Sequence, residues 1–274
     1  MLQRAFPESP LHILRSLTEN WHLLQQLVRR GIIGRYRGSV FGLAWSLLIP
    51  LLMLGVYTFV FSVVFKAKWN HPGAEDANFG VILFSGMIVH ALFTESMVMS
   101  PGLVTGNAQY VKKVVFPLEI LSWSAVFTSL FQASISFSVL LLFMLVTGAP
   151  LHPTLIYLPL VLMPLVLMAL GVSWLLAATS VYVRDIRQIV GILATVMLFI
   201  SPVFYPVDRL PERWQAFIYL NPISFIVDQV RNVVIYGMPP NWLGLGMYTL
   251  IAGVIAWLGL VWFQRLRTGF ADVL

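Results

Sequence analysis

The chain has 274 residues, of which 59% are hydrophobic and only 10% charged, with a mean hydropathy of +0.85. Globular domains carry about 25% charged residues, so no separate soluble catalytic domain fits this composition. The absence of Cys excludes disulfides and thiolate metal sites, and the positions of the basic residues behind the net charge of +6 argue for membrane topology over nucleic-acid binding.

Residues 1–39 form a polar N-terminal segment. Within it Leu11, Leu14, Leu17, Trp21, Leu24, Val28 and Ile32 recur at three- and four-residue steps, while Arg15, Glu19, His22, Gln25 and Arg29 take other faces. This pattern predicts an amphipathic helix in the membrane interface, serving as an anchor or as a lever moved by a partner. Uncharged stretches then predict six spans, over residues 40–65, 79–100, 121–147, 155–182, 188–205 and 243–263. No Asp, Glu, Lys or Arg occurs in the 64 positions from Ile120 to Val183, and the Gly148/Pro150 turn inside that stretch reads as the tip of a helical hairpin in lipid. The expectation is an all-α integral membrane protein: residues 40–264 a transmembrane unit, 265–274 a tail. With both termini in the cytoplasm, 12 of the 17 Lys and Arg fall on that side and 5 opposite, as the positive-inside rule requires.

Residues 207–240 are apolar and aromatic yet broken by Pro211, Pro222, Pro239 and Pro240. The helical pieces, 212–220 and 223–236, would be about 13 and 21 Å long, short of the ~30 Å hydrocarbon core. They predict a re-entrant pair at the extracytoplasmic end, bordering an aqueous opening. Trp214, Asn221, Pro222, Asp228 and Arg231 are its candidate gate residues, with Asp228 and Arg231 spaced to pair. His90 and Glu95 lie inside the second span, where a charge costs about 2.5–3.5 kcal/mol at the bilayer centre. They are about 140° apart on a helix, so a proton relay between them competes with separate interhelical hydrogen bonds.

Some chemistry is missing. The lysines are Lys66, Lys68, Lys112 and Lys113, and none follows a glycine, so there is no phosphate-cradling Gly-Lys-Ser/Thr loop. Ser173, after Gly171, has the look of a membrane serine nucleophile, but the last histidine is His152, so no later helix supplies the histidine base. The five histidines show no metal-ligand spacing.

Three ordered motifs cover most of the chain. The first runs Arg35-Tyr36-Arg37-Gly38-Ser39 to Gly42, Trp45 and Pro50, the second from Asn107 through Tyr110, Val111 and Lys113 to Phe116-Pro117, and the third is Ser201-Pro202-Val203-Phe204-Tyr205-Pro206 followed by Asn221-Pro222 and Arg231. The pattern closely resembles the polysaccharide-exporting branch of the ABC-2 permeases, the membrane subunits for O-antigen, capsule and teichoic-acid export. Phe41 and Tyr110 stand where that branch usually has Leu. The resemblance implies a homodimer in the bacterial inner membrane that moves lipid-linked polysaccharide, most like O-antigen, outward. Two copies of a cytoplasmic ATPase subunit would bind the ATP, leaving this chain without a cofactor and without enzymatic activity of its own. It also implies that the first and fifth spans line the passage. Arg35, Tyr36, Lys112, Lys113, Phe116, Pro117, Glu119, Arg184 and Asp185 are the candidate contacts that couple it to the ATPase. Sugars present apolar C–H faces, so the aromatics Tyr57, Phe59, Phe61, Phe199, Phe204 and Tyr205 are candidate passage residues. A capsule or teichoic-acid exporter, a small-molecule exporter of the same fold and an ion-coupled carrier using His90 and Glu95 are the alternatives.

Overall fold

The computed structural model describes residues 11–66, 69, 78–111 and 116–274, and within them every regular element is helical. The N-terminal pattern forms two helices, α1 (Leu11–Glu19) and α2 (Trp21–Arg35), where one was expected. The break falls at Asn20, whose side-chain amide donates back to the Ser16 carbonyl at 3.0 Å, a local bond that competes with helix continuation. Ile13, Ser16 and Leu24 are buried, and the Trp123 indole donates to Ser16 Oγ at 3.2 Å, so part of this face rests on protein.

Among the described residues five helical stretches are long and apolar enough to cross a membrane: Gly42–Val64, Phe79–Gly102, Ile120–Val146, Pro153–Tyr182 and Trp242–Arg267. The first contains α3 (Trp45–Tyr57) and a π-helical segment, Thr58–Val64. Pro50 lies inside α3 and cannot bond the Ser46 carbonyl four residues back. Gln132 Nε2 donates to that same carbonyl at 2.9 Å, so a side chain from another span closes the gap. α4 (Phe79–Met99) is capped by Asn78, whose Oδ1 accepts from the Gly80 amide at 2.8 Å and from Ser62 Oγ at 2.7 Å. A Cβ on Gly80 would lie 2.5–2.9 Å from Thr58, so glycine lets α4 begin against the π segment.

After the short α5 (Ala108–Val111), α6 (Ile120–Val146) and α7 (Leu158–Tyr182) form the expected uncharged hairpin. α11 (Trp242–Arg267) packs most extensively on α7, and small residues set how closely. A Cβ on Gly171 would stand 2.7 Å from the Ala256 backbone, and one on Gly259 would overlap the Gly171 carbonyl oxygen. Backbone approach through Gly and Ala is how helices associate in lipid, where the hydrophobic effect gives no drive. The chain closes with α12 (Phe270–Val273).

The predicted fifth span is shorter than expected. α8 (Ile186–Ile200) has 15 residues, about 22 Å, and ends where Pro202 holds Ser201 extended at φ −87°, ψ 153°. Beyond it come α9 (Glu212–Tyr219) and α10 (Pro222–Val234). α10 opens with Asn221 as N-cap and Pro222 in its first turn. Nine of its 13 residues are buried, and it lies against α4 and α7, so it is part of the packed core.

Candidate functional site

A groove of about 570 Å³ runs between α3, α4 and α6. At one end Arg35 and Glu95 form an ion pair, and the Tyr36 hydroxyl donates to Gln132 Oε1 at 3.3 Å. Tyr57, Phe84 and His90 line it further along. His90 Nε2 is 3.2 Å from the Ala194 carbonyl of α8, so His90 and Glu95 serve different partners on different elements and form no relay with each other.

Beyond the groove, aromatic rings link the end of the first span to the break after α8. Phe61 stacks on Phe79 at 5.4 Å and meets Phe204 at 6.5 Å, Phe204 meets Phe199 at 6.1 Å, and the Tyr205 hydroxyl donates to the Phe199 carbonyl at 3.0 Å. Tyr57 packs on Phe84 at 6.4 Å. Five of the six predicted passage aromatics thus lie in or beside one aromatic band. Phe59 stands apart from it on the first span and, like Phe199, is exposed in the single chain.

The predicted gate residues divide. Arg231 is fully buried, and its guanidinium donates to the carbonyls of Pro202 (2.6 Å), Val203 (2.9 Å) and Ile82 (3.4 Å) while covering the Trp69 ring at 4.6 Å. The first two bonds satisfy carbonyls that the proline break leaves outside a helix and the third reaches a carbonyl within α4, so Arg231 ties α10, α4 and the end of α8 together. Its distance to Asp228 is 4.0 Å, at the limit of an ion pair. The Asp228 carboxylate accepts instead from the Tyr219 hydroxyl at 2.9 Å. Burial and then the Asp228 charge push the Tyr219 phenol above its ordinary pKa. Asn221 bridges elements, accepting from the Ile223 amide and donating to the Met197 carbonyl, both at 3.1 Å. The Pro222 carbonyl takes the Tyr248 hydroxyl at 2.8 Å. Trp214 is exposed beside Phe217 and Arg213.

The coupling candidates also divide. Lys112 and Lys113 lie outside the described residues. Glu119, expected to offer its charge to a partner, is buried: its carboxylate accepts from Arg267 at 2.9 Å and its carbonyl from the Trp174 indole at 3.0 Å. Arg267 also donates to the Phe116 carbonyl at 2.8 Å, and the Pro117 carbonyl accepts the Ile120 amide that starts α6. This loop is therefore clamped to the end of α11. Arg184 and Asp185 are exposed on the turn between α7 and α8. Ser173 is wholly buried and receives the Ser100 hydroxyl at 2.8 Å, which leaves it no access as a nucleophile. Sequence reasoning missed Gln132 and Arg267, whose signals were a polar residue in an uncharged span and a basic residue in a helix's last turn.

The pattern that defines ABC-2 type transporters matches residues 22–235. The chain is 27% identical to the O-antigen export system permease protein RfbA of Myxococcus xanthus, covering 96% of this chain and 99% of the relative. It is 26% identical to the protein of the same name from Klebsiella pneumoniae, covering 92% and 95%. The polysialic acid transport protein KpsM of Escherichia coli is 23% identical, covering 88% of this chain and 92% of its own. With most of its length inside that pattern, and with apolar helices joined through small residues and a break anchored by a buried arginine, the chain belongs to the ABC-2 type transporter family.

Proposed function

We propose that the chain is the permease half of an exporter that carries a lipid-linked polysaccharide of the O-antigen type from the cytoplasm to the periplasm. In this reading it is a homodimer in the inner membrane with both termini cytoplasmic. Two ATPase subunits supply the nucleotide site, so this chain transports without hydrolysing ATP. α8 with its extended continuation makes a sixth crossing, α1 and α2 lie along the cytoplasmic interface, and α9 with α10 re-enters from the outer side. The aromatic band that joins Phe61 to Phe204 and Phe199 is the observation that carries the proposal. It sets flat apolar rings where the first span meets the break after α8, and such rings give a sugar chain repeated weak contacts that let it slide. The likeness to a polysialic acid transport protein supports a second reading, export of a capsule-type chain.

Deleting the gene should remove the long-chain glycan from the cell surface and leave its lipid-linked precursor inside. The identity of the accumulated glycan then separates O-antigen from capsule. An unchanged surface glycan overturns the proposal, as do vesicles that hold this chain alone and still export glycolipid.

A further inference from the structure

A second cavity, of about 520 Å³, lies beside α10 and away from the groove between α3, α4 and α6. Trp69, Tyr219 and Tyr236 give it flat apolar walls, and Asp208, Asp228 and Asn232 bring polar groups to it. Arg231 also borders it. The Nη atoms of that arginine are committed to backbone carbonyls, while its Nε is buried and has no hydrogen-bond partner among the described residues. That nitrogen is closed off from the cavity, so a ligand there would meet the aromatic walls and the polar groups of Asp208, Asp228 and Asn232.

The charges restrict what that ligand can be. Among the described residues two carboxylates beside one guanidinium leave the cavity with a net negative charge, which repels uronates and phosphates. Among the described residues no group of three His, Asp or Glu could hold a metal ion, so a divalent cation is poorly served. Aromatic walls with carboxylate and amide acceptors match a molecule that has C–H faces and several hydroxyls. We propose that this cavity is a subsite for one uncharged sugar unit of the exported glycan, stacked on the aromatic walls with its hydroxyls donating to Asp208, Asp228 and Asn232. The proposal rests on the permease reading and places a sugar contact at the extracytoplasmic end of that route.

Saturation-transfer NMR on the transporter assembled with its ATPase in detergent tests it. The probes are the methyl glycosides of glucose, galactose, mannose and rhamnose, with the methyl glycoside of glucuronic acid as the charged counterpart. At least one neutral glycoside should receive saturation at its ring C–H protons, and the glucuronoside should bind at least fivefold more weakly. Asp208→Asn combined with Asp228→Asn should narrow that preference to less than twofold, and Asn232→Leu should weaken the neutral glycoside at least threefold, each variant being checked for assembly by size exclusion. The subsite is wrong if no neutral glycoside binds, if the glucuronoside binds equally well, or if assembled variants behave as the parent. Those failures leave the permease reading standing when gene deletion still strips the surface glycan. Persistence of that glycan removes the permease reading whatever binds here.

Discussion

Arg231 holds the region around the break with one side chain. Pro202 ends α8 and leaves carbonyls in the core without helical donors, and the guanidinium reaches two of them at 2.6 and 2.9 Å. Arg231→Met orphans both, and with about 1–3 kcal/mol for each unsatisfied buried group it should destabilise the solubilised chain by roughly 3 kcal/mol. Arg231→Lys should recover only part of this, because an ammonium on a single stem cannot reproduce the planar fork. Denaturant unfolding in detergent measures both, and equal stability of parent and Met variant would refute the anchoring role. Gln132 plays a smaller part of the same kind, with one bond to the carbonyl that Pro50 leaves unpaired. Gln132→Leu should therefore lower stability by about 1 kcal/mol in the same measurement.

Among the elements, the clamp between α11 and the start of α6 ties the loop after the second span to the last span. Glu119 and Arg267 meet at 2.9 Å with both side chains largely shielded, so charge reversal at either one places like charges together in a dry site. Glu119→Arg alone should reduce surface glycan more than tenfold, while Glu119→Arg with Arg267→Glu should restore a substantial part of it. Failure of the double variant to exceed the single one would mean the pair does not act as a unit. The sequence displayed much of this layer. Long uncharged runs gave five spans within two residues at every end except the last, where α11 runs four residues further, because crossing the hydrocarbon demands an apolar run of that length. Asn221-Pro222 marked the start of α10 through ordinary capping chemistry. What stayed hidden were pairings across long separations, such as Glu119 with Arg267, Gln132 with Ser46 and Arg231 with Ile82. Nothing local in the chain says which helix a polar side chain will face. The burial of α10 was hidden for a similar reason, since its Asp228 and Arg231 read as marks of an aqueous face until the bare carbonyls after α8 were in view.

For the whole molecule, two outward stripes stand out. Leu52, Val56, Phe59 and Val63 follow one another along the first span, and Ile189, Ile192, Val196 and Phe199 do so along α8, all of them exposed in the single chain. Only 11% of the first span's most apolar window is buried, against 78% for the second span. Lipid can cover such stripes, but so can a second protomer, and a passage enclosed between two copies needs the second arrangement. The absence of native Cys makes the choice measurable, because each introduced thiol is unique. Val56→Cys and Val196→Cys, made singly, should form intermolecular disulfides in membranes under mild oxidation. Leu250→Cys, at a still more exposed position on α11, should stay monomeric. Cα atoms joined by a disulfide lie about 5.5–6 Å apart, so a positive result places the two copies of that helix in direct contact. Cross-linking at Leu250 with none at Val56 or Val196 would move the protomer interface to α11, and the aromatic band would then face lipid and could not line a route for sugar.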